Sequence, residues 1–134
     1  MGSRLIGRGT PHDINLEADA NLSARQFTFV KFTTGVSGGP AARIGAAGAG
    51  DRGWILQDDP IAGKGGRIRL EGTSALKVDG TTPIVPGDLL KSDANGLGVK
   101  AATDKDAYNA VALEASSSAT DVIEVLVHHG HLGA

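Results

Sequence analysis

Pro83-Ile84-Val85-Pro86-Gly87-Asp88-Leu89-Leu90-Lys91-Ser92-Asp93-Ala94-Asn95-Gly96 holds two turns around one short strand. Pro86-Gly87-Asp88 is a turn that delivers the chain into a strand from Leu89 to Ser92. Asp93-Ala94-Asn95-Gly96 is a second turn, in which Asn-Gly supplies positive φ. Further strands are predicted at Gly98–Lys100, Tyr108–Glu114 and Asp121–His128. Thr103-Asp104-Lys105-Asp106 has the composition of a helix start, with room for a turn or two at most.

Upstream, Gln26–Thr33 reads as a strand, with Phe27 and Phe29 on one face and Val30 and Phe32 on the other. A short strand is placed at Arg43-Ile44, and Gly45–Gly50 reads as a flexible Gly/Ala loop. Arg52–Gln57 is apolar on both faces through Trp54-Ile55-Leu56. That pattern predicts that Trp54 is buried in the core. Gly66–Glu71 alternates, with Ile68 and Leu70 inward, and Ala75–Asp79 does the same with Leu76 and Val78. Gly72-Thr73-Ser74 between them predicts a hairpin. Short strands at these intervals argue for a barrel or sandwich rather than βαβ units. The 20 glycines and the single Trp and Tyr fit that class, with a core resting on Val, Ile, Leu and Ala. No internal repeat of fixed period is visible. The expected fold is an all-β, Gly-rich small barrel or sandwich with an extended N-terminal arm. The arm covers residues 1–21 and the domain residues 22–134.

The order of turns and strands from Pro83 to Val127 resembles the small β-rich capsid decoration, or cement, proteins of tailed bacteriophages. The resemblance extends back to Asn21-Leu22-Ser23-Ala24-Arg25-Gln26-Phe27 and spans roughly residues 21–128. It implies a structural protein that binds the outside of an icosahedral head, made in the bacterial cytoplasm. It further implies trimers at local three-fold positions and reinforcement of the shell against internal DNA pressure. The major capsid protein and the chain itself are then the expected partners.

Composition narrows the alternatives. A chain of 134 residues with net charge -2 lacks the basic face that nucleic acid requires. No stretch approaches the about 18 apolar residues that a membrane-spanning helix needs, and no secretory leader is apparent. Without cysteine there is no disulfide, thiolate metal site or cysteine nucleophile.

The candidate chemical residues read better as structure. Asp88 beside Gly87 suits a turn whose carboxylate binds local amides. His128 and His129 point to opposite faces of an extended strand, so they cannot share an ion; His129 and His131 could if the strand continued. Gly63-Lys64-Gly65-Gly66 lacks the hydroxyl residue and the upstream glycine of a phosphate loop. Ser116-Ser117-Ser118 lacks the flanking glycines of a nucleophile elbow, and His12-Asp13 lies in the arm. The chain is therefore read as a non-enzyme without cofactor or metal. The rival readings are a carbohydrate- or receptor-binding β module, which would display more aromatic residues, and a small trimeric enzyme.

Two groups of residues are expected to make contacts. Leu5, Ile6, Ile14 and Leu16 are spaced apolar anchors in a polar arm, suited to lie on the capsid. In Val122–Val127, Ile123, Val125 and Val127 share one face. Val122 and Leu126 share the other with Glu124, and they are expected at the oligomer interface.

Overall fold

Gly72 has φ +97° and marks the corner of the longest strand. In the computed structural model, which describes residues 11–34, 42–102, 106–116 and 121–132, nine strands run along the chain. They are β1 (His12–Glu17), β2 (Phe29–Thr33), β3 (Arg43–Ala46), β4 (Trp54–Leu56), β5 (Gly65–Lys77), β6 (Leu89–Ser92), β7 (Gly98–Lys100), β8 (Ala107–Ala112) and β9 (Val122–His131). The all-β expectation holds.

Up to Glu71, β5 pairs with β1 and β4; from Gly72 onward it pairs with β9. The predicted hairpin at Gly72-Thr73-Ser74 is therefore wrong. Glycine relieves the backbone at a bend, and one strand changes sheets there instead of reversing. Pro11 sits 3.1 Å from where a Cβ on Gly72 would be, so that corner is also tight.

All the strand ladders are antiparallel. The first half runs in the order β1-β5-β4-β2-β3, and its ends meet at a parallel bridge between Ala18 and Ile44. The second half runs β5-β9-β8-β6-β7, and its ends meet at a parallel bridge between Val78 and Gly98. Each half is thus a five-stranded sheet curled until its edges touch.

The two halves share one plan, residue for residue. Phe29 opposite Ile55 corresponds to Leu89 opposite Val111. Ile55 opposite Arg69 corresponds to Val111 opposite Leu126. Ile14 opposite Ile68 corresponds to Ser74 opposite Val125, and Phe32 opposite Ile44 to Ser92 opposite Gly98. Bonds outside the ladders repeat as well. Asp19 N–H donates to Ile44 O as Asp79 N–H donates to Gly98 O, and Gln57 N–H to Arg67 O as Leu113 N–H to Glu124 O. The chain is a tandem repeat of one five-stranded unit, fused through β5.

Each unit has its own core. Ile14, Leu16, Ala18, Leu22, Val30, Ile44, Leu56, Ile68 and Leu70 fill the first. Leu76, Val78, Ile84, Leu90, Ala110, Ala112, Ile123, Val125 and Val127 fill the second. Phe29, Ala47 and Ile55 point out of the first unit into the second core. This explains why β2 and β4 are apolar on both faces: each lies between two cores.

Equivalent volumes are exchanged between the units. Ile44 corresponds to Gly98, while Gly66 corresponds to Ile123. A Cβ on Gly66 would meet Ile44 Cδ1 at 2.9 Å, and one on Gly98 would meet Leu76 Cδ2 at 2.7 Å. In the first unit close packing leaves room for one large side chain at Ile44 and Gly66; in the second, Leu76 and Val78 fill the space at Gly98.

Other expectations shift. Residues 12–17 of the expected arm are β1, an integral strand, so the arm and domain boundary at residue 21 does not describe this segment. The strand predicted from Gln26 begins at Phe29, because Phe27 has φ +61° and turns the chain. Gly45–Gly50 is not a loose loop: β3 extends to Ala46, and a turn follows in which Gly48 N–H donates to Asp51 Oδ2 (2.8 Å). That bond, with Lys31 at 3.1 Å, holds the Asp51 carboxyl below its usual pKa against the effect of burial. Gly96 alone carries the positive φ of its turn, while the Asp93 carboxylate accepts from Asn95 and Leu97 N–H. Residues 103–105 of the proposed helix start lie outside the described residues.

Candidate functional site

One seam joins the two units. Phe29 N–H donates to Gly96 O (2.8 Å), Gly50 N–H to Ser92 O (3.0 Å) and Lys77 N–H to Phe27 O (2.7 Å). Asn109 Nδ2 donates to Asp51 O (3.0 Å), and His129 Nε2 lies 2.6 Å from Gly53 O. A carbonyl can only accept, so the His129 proton sits on Nε2. These bonds surround Phe29, Ala47 and Ile55 where they enter the second core. The seam is therefore hydrogen-bonded at its rim and apolar at its centre.

Beside the seam lies an aromatic cluster. Val30 is opposite Trp54, so Phe32, two residues on, is a diagonal neighbour of Trp54. The two rings stack with centroids 4.4 Å apart and 14° between planes. His129 meets the Trp54 ring at 5.0 Å. Burial lowers the His129 pKa; the Gly53 bond opposes that shift, while Arg52 and His128 add to it. Trp54 is half-buried rather than enclosed, which corrects the expectation of a core tryptophan. It packs against both cores yet keeps an edge at the surface, and Phe32 above it is 39% exposed.

A second apolar surface lies on the outer face of the second unit. The register aligns Leu89, Val111, Leu126 and Thr73 in one row across β6, β8, β9 and β5. Leu126 is 39% exposed, and Leu89 and Val111 are half-buried. Val122 lies on the same face opposite Lys77 and is half-buried. Between Val122 and Leu126, Glu124 is buried; its N–H donates to Glu114 Oε1 (2.7 Å) and its carbonyl accepts from Leu113 (2.9 Å). Val122 and Leu126 thus share a face, with the buried Glu124 between them. The apolar row continues from Leu126 toward Val111 and Leu89, which the sequence reading missed. Its signal was available in the alternation of β8 against β9, once their register was known.

The expected arm anchors separate. Ile14 and Leu16 pack on the first core, so they serve the domain itself and not a free arm. Leu5 and Ile6 lie outside the described residues. Asp88 holds its turn, accepting from Val85 N–H (2.9 Å) with Lys100 Nζ at 3.6 Å. Asp13 binds the Arg69 guanidinium through both oxygens (2.6 and 3.0 Å), with Arg67 at 3.4 Å. β9 continues to His131, but His129 is committed to Gly53 and Trp54. Among the described residues no three His, Asp or Glu side chains converge. The described surface offers apolar contact area at Phe32 and Leu126.

Neither a protein-family model nor a curated protein sequence matches the chain. A similar solved structure is the N base of the head fiber protein gp8.5 of bacteriophage phi29, with TM-score 0.65 and 14% sequence identity. The match covers 93% of this chain and 100% of that chain. At this identity the likeness concerns the fold, and it runs through both five-stranded units.

Proposed function

We propose that this chain is a structural protein of a tailed-bacteriophage head, bound to the outer surface of the capsid shell and stabilising it. The observation that carries this reading is the fold shared along nearly the whole chain with the phi29 head fiber base. The turn and strand order that resembles capsid decoration proteins supports it independently. The function requires no catalytic group. It requires apolar surface, a rigid body and several attachments acting together. The double core supplies the rigid body. Leu126 with Val122, and Phe32 on Trp54, supply apolar surface. Leu5 and Ile6, ahead of β1, are the anchors proposed to meet the major capsid protein. A homotrimer would multiply weak contacts into tight attachment.

The test is co-sedimentation of the purified chain with heads of its phage assembled without it. Saturable binding at a fixed number of sites per head, with greater resistance of those heads to heat, is expected. No binding to heads would refute the reading. A carbohydrate- or receptor-binding module is the second reading, favoured by the exposed Phe32 ring; binding to host-surface glycans and not to heads would select it.

A further inference from the structure

The repeat shows what the outer face of each unit is for. In the first unit Phe29, Ala47 and Ile55 leave their own barrel and enter the second core. Their equivalents in the second unit are Leu89, Ala101 and Val111. The registers assign Leu89 and Val111, and Ala101 N–H donates to Leu89 O as Ala47 N–H donates to Phe29 O. Among the described residues no third unit receives this face: Ala101 is buried within the second unit, and Leu89 and Val111 are half-buried. The face ends in Leu126, 39% exposed.

The receiving surface is also left over once. The second unit accepts the first at the end built from Ser92, Gly96, Asn109 and His129. At the corresponding end of the first unit, Phe32 stands in place of Ser92 and Trp54 in place of Ala110. No unit precedes it among the described residues, and Phe32 is 39% exposed there. Among the described residues each side of the internal seam thus recurs once: the Leu89–Val111–Leu126 face, and the Phe32–Trp54 end, where Trp54 also touches His129 and Phe32 remains exposed.

We propose that a second copy of this chain fills both: the Leu89–Val111–Leu126 face of one copy seats on the Phe32–Trp54 end of the next. Through Leu89 and Val111 the contact repeats between chains the one that Phe29 and Ile55 make within a chain, and Leu126, which stands where the first unit has Arg69, extends it. It is head-to-tail, with different patches on the two partners. Such a contact closes into a ring when the rotation per copy allows and otherwise extends. A ring of three copies would bring six units around the axis. This deepens the self-association in the proposed function and rests on that reading only for the number three. Its test uses purified chain alone, so its failure leaves the head location to be decided separately.

The experiment is sedimentation of the wild type, Leu126→Glu, Phe32→Glu and an equimolar mixture of the two variants. The wild type should form species of several 13.6 kDa chains. Each variant should sediment at the single-chain mass, because one patch of every contact is charged. The mixture should regain a two-chain species, since each pair retains one intact contact. Far-UV circular dichroism checks folding, and Leu126→Gln with Phe32→Gln replaces any charged variant that fails to fold. A wild type that stays single-chain at its highest soluble concentration overturns the proposal. So does association that survives either variant. A mixture that stays single-chain overturns the head-to-tail geometry.

Discussion

Phe27 and Gly87 occupy the same position in the two units. Phe27 N–H donates to Leu56 O and Gly87 N–H to Ala112 O, and both residues have positive φ, +61° and +95°. Phe27 is the sole non-glycine residue in that region among those described. The turn dictates the conformation, and the second unit meets it with the residue that adopts it without strain.

This relationship predicts the cost of Gly87→Ala. No atom lies within 4 Å of the added Cβ, so the penalty is purely conformational. It should be about 1–2 kcal/mol. Gly96→Ala should cost more, because its Cβ would also lie 2.8 Å from Phe29 O across the seam. Chemical denaturation of both variants measures the difference, and equal costs would contradict the seam geometry.

The exchange of volume between the units predicts coupling. Ile44→Val alone should cost about 0.5–1.5 kcal/mol. Gly66→Ala alone should cost about 1–3 kcal/mol by overpacking against Ile44 and Pro60. Together they should cost less than their sum, because valine lacks the Cδ1 atom 2.9 Å from the new methyl. A double-mutant cycle reads this directly.

β1 belongs to the fold, so truncation should behave in two stages. Removing residues 1–10 should leave the melting temperature nearly unchanged. Removing residues 1–20 also takes Ile14, Leu16 and the Asp13–Arg69 pair from the first core and its surface. That truncation should lower the melting temperature sharply or prevent folding, as loss of several buried side chains does. Equal melting of both truncated chains would contradict the assigned role of β1.

His129 makes stability depend on pH. Its folded pKa lies below its ordinary value of 6.5, so the unfolded chain binds the proton more readily. Stability from this group is full above pH 6.5. It falls as pH drops below 6.5 and levels off beneath the folded pKa. The groups around the ring are Trp54, Gly53 O, Arg52 and His128. His129→Gln should flatten the melting-temperature profile in that window. An unchanged profile would assign the slope elsewhere.

Much of the fold was legible in local pattern. Leu89–Ser92 and Gly98–Lys100 were read with their observed bounds, because two turns with clear chemistry frame them. The repeat was not legible. Leu16 and Leu76, Asp19 and Asp79, and Lys31 and Lys91 keep one spacing, but turns of different length then shift the register. Volumes exchanged between Ile44 and Gly98, and between Gly66 and Ile123, erase any apolar period. At Gly72 a corner and a hairpin use the same residue type, and only the pairing of β5 distinguishes them. Ile14 and Leu16 looked isolated because their partners lie far along the chain, on Ile68 and its neighbours. Shared faces within one strand were legible, while contacts between strands were not. Val122 and Leu126 share a face by alternation, whereas Phe32 and Trp54 meet only through the β2–β4 register.

The central claim is that this chain sits on the outside of a phage head. Cryo-electron microscopy of heads assembled with and without it tests that claim most directly. The account predicts added density on the outer shell surface, fitted by the two fused five-stranded units, with copies touching through Leu126 and Phe32. Identical maps from the two preparations, or density confined to the interior or the tail, would contradict it.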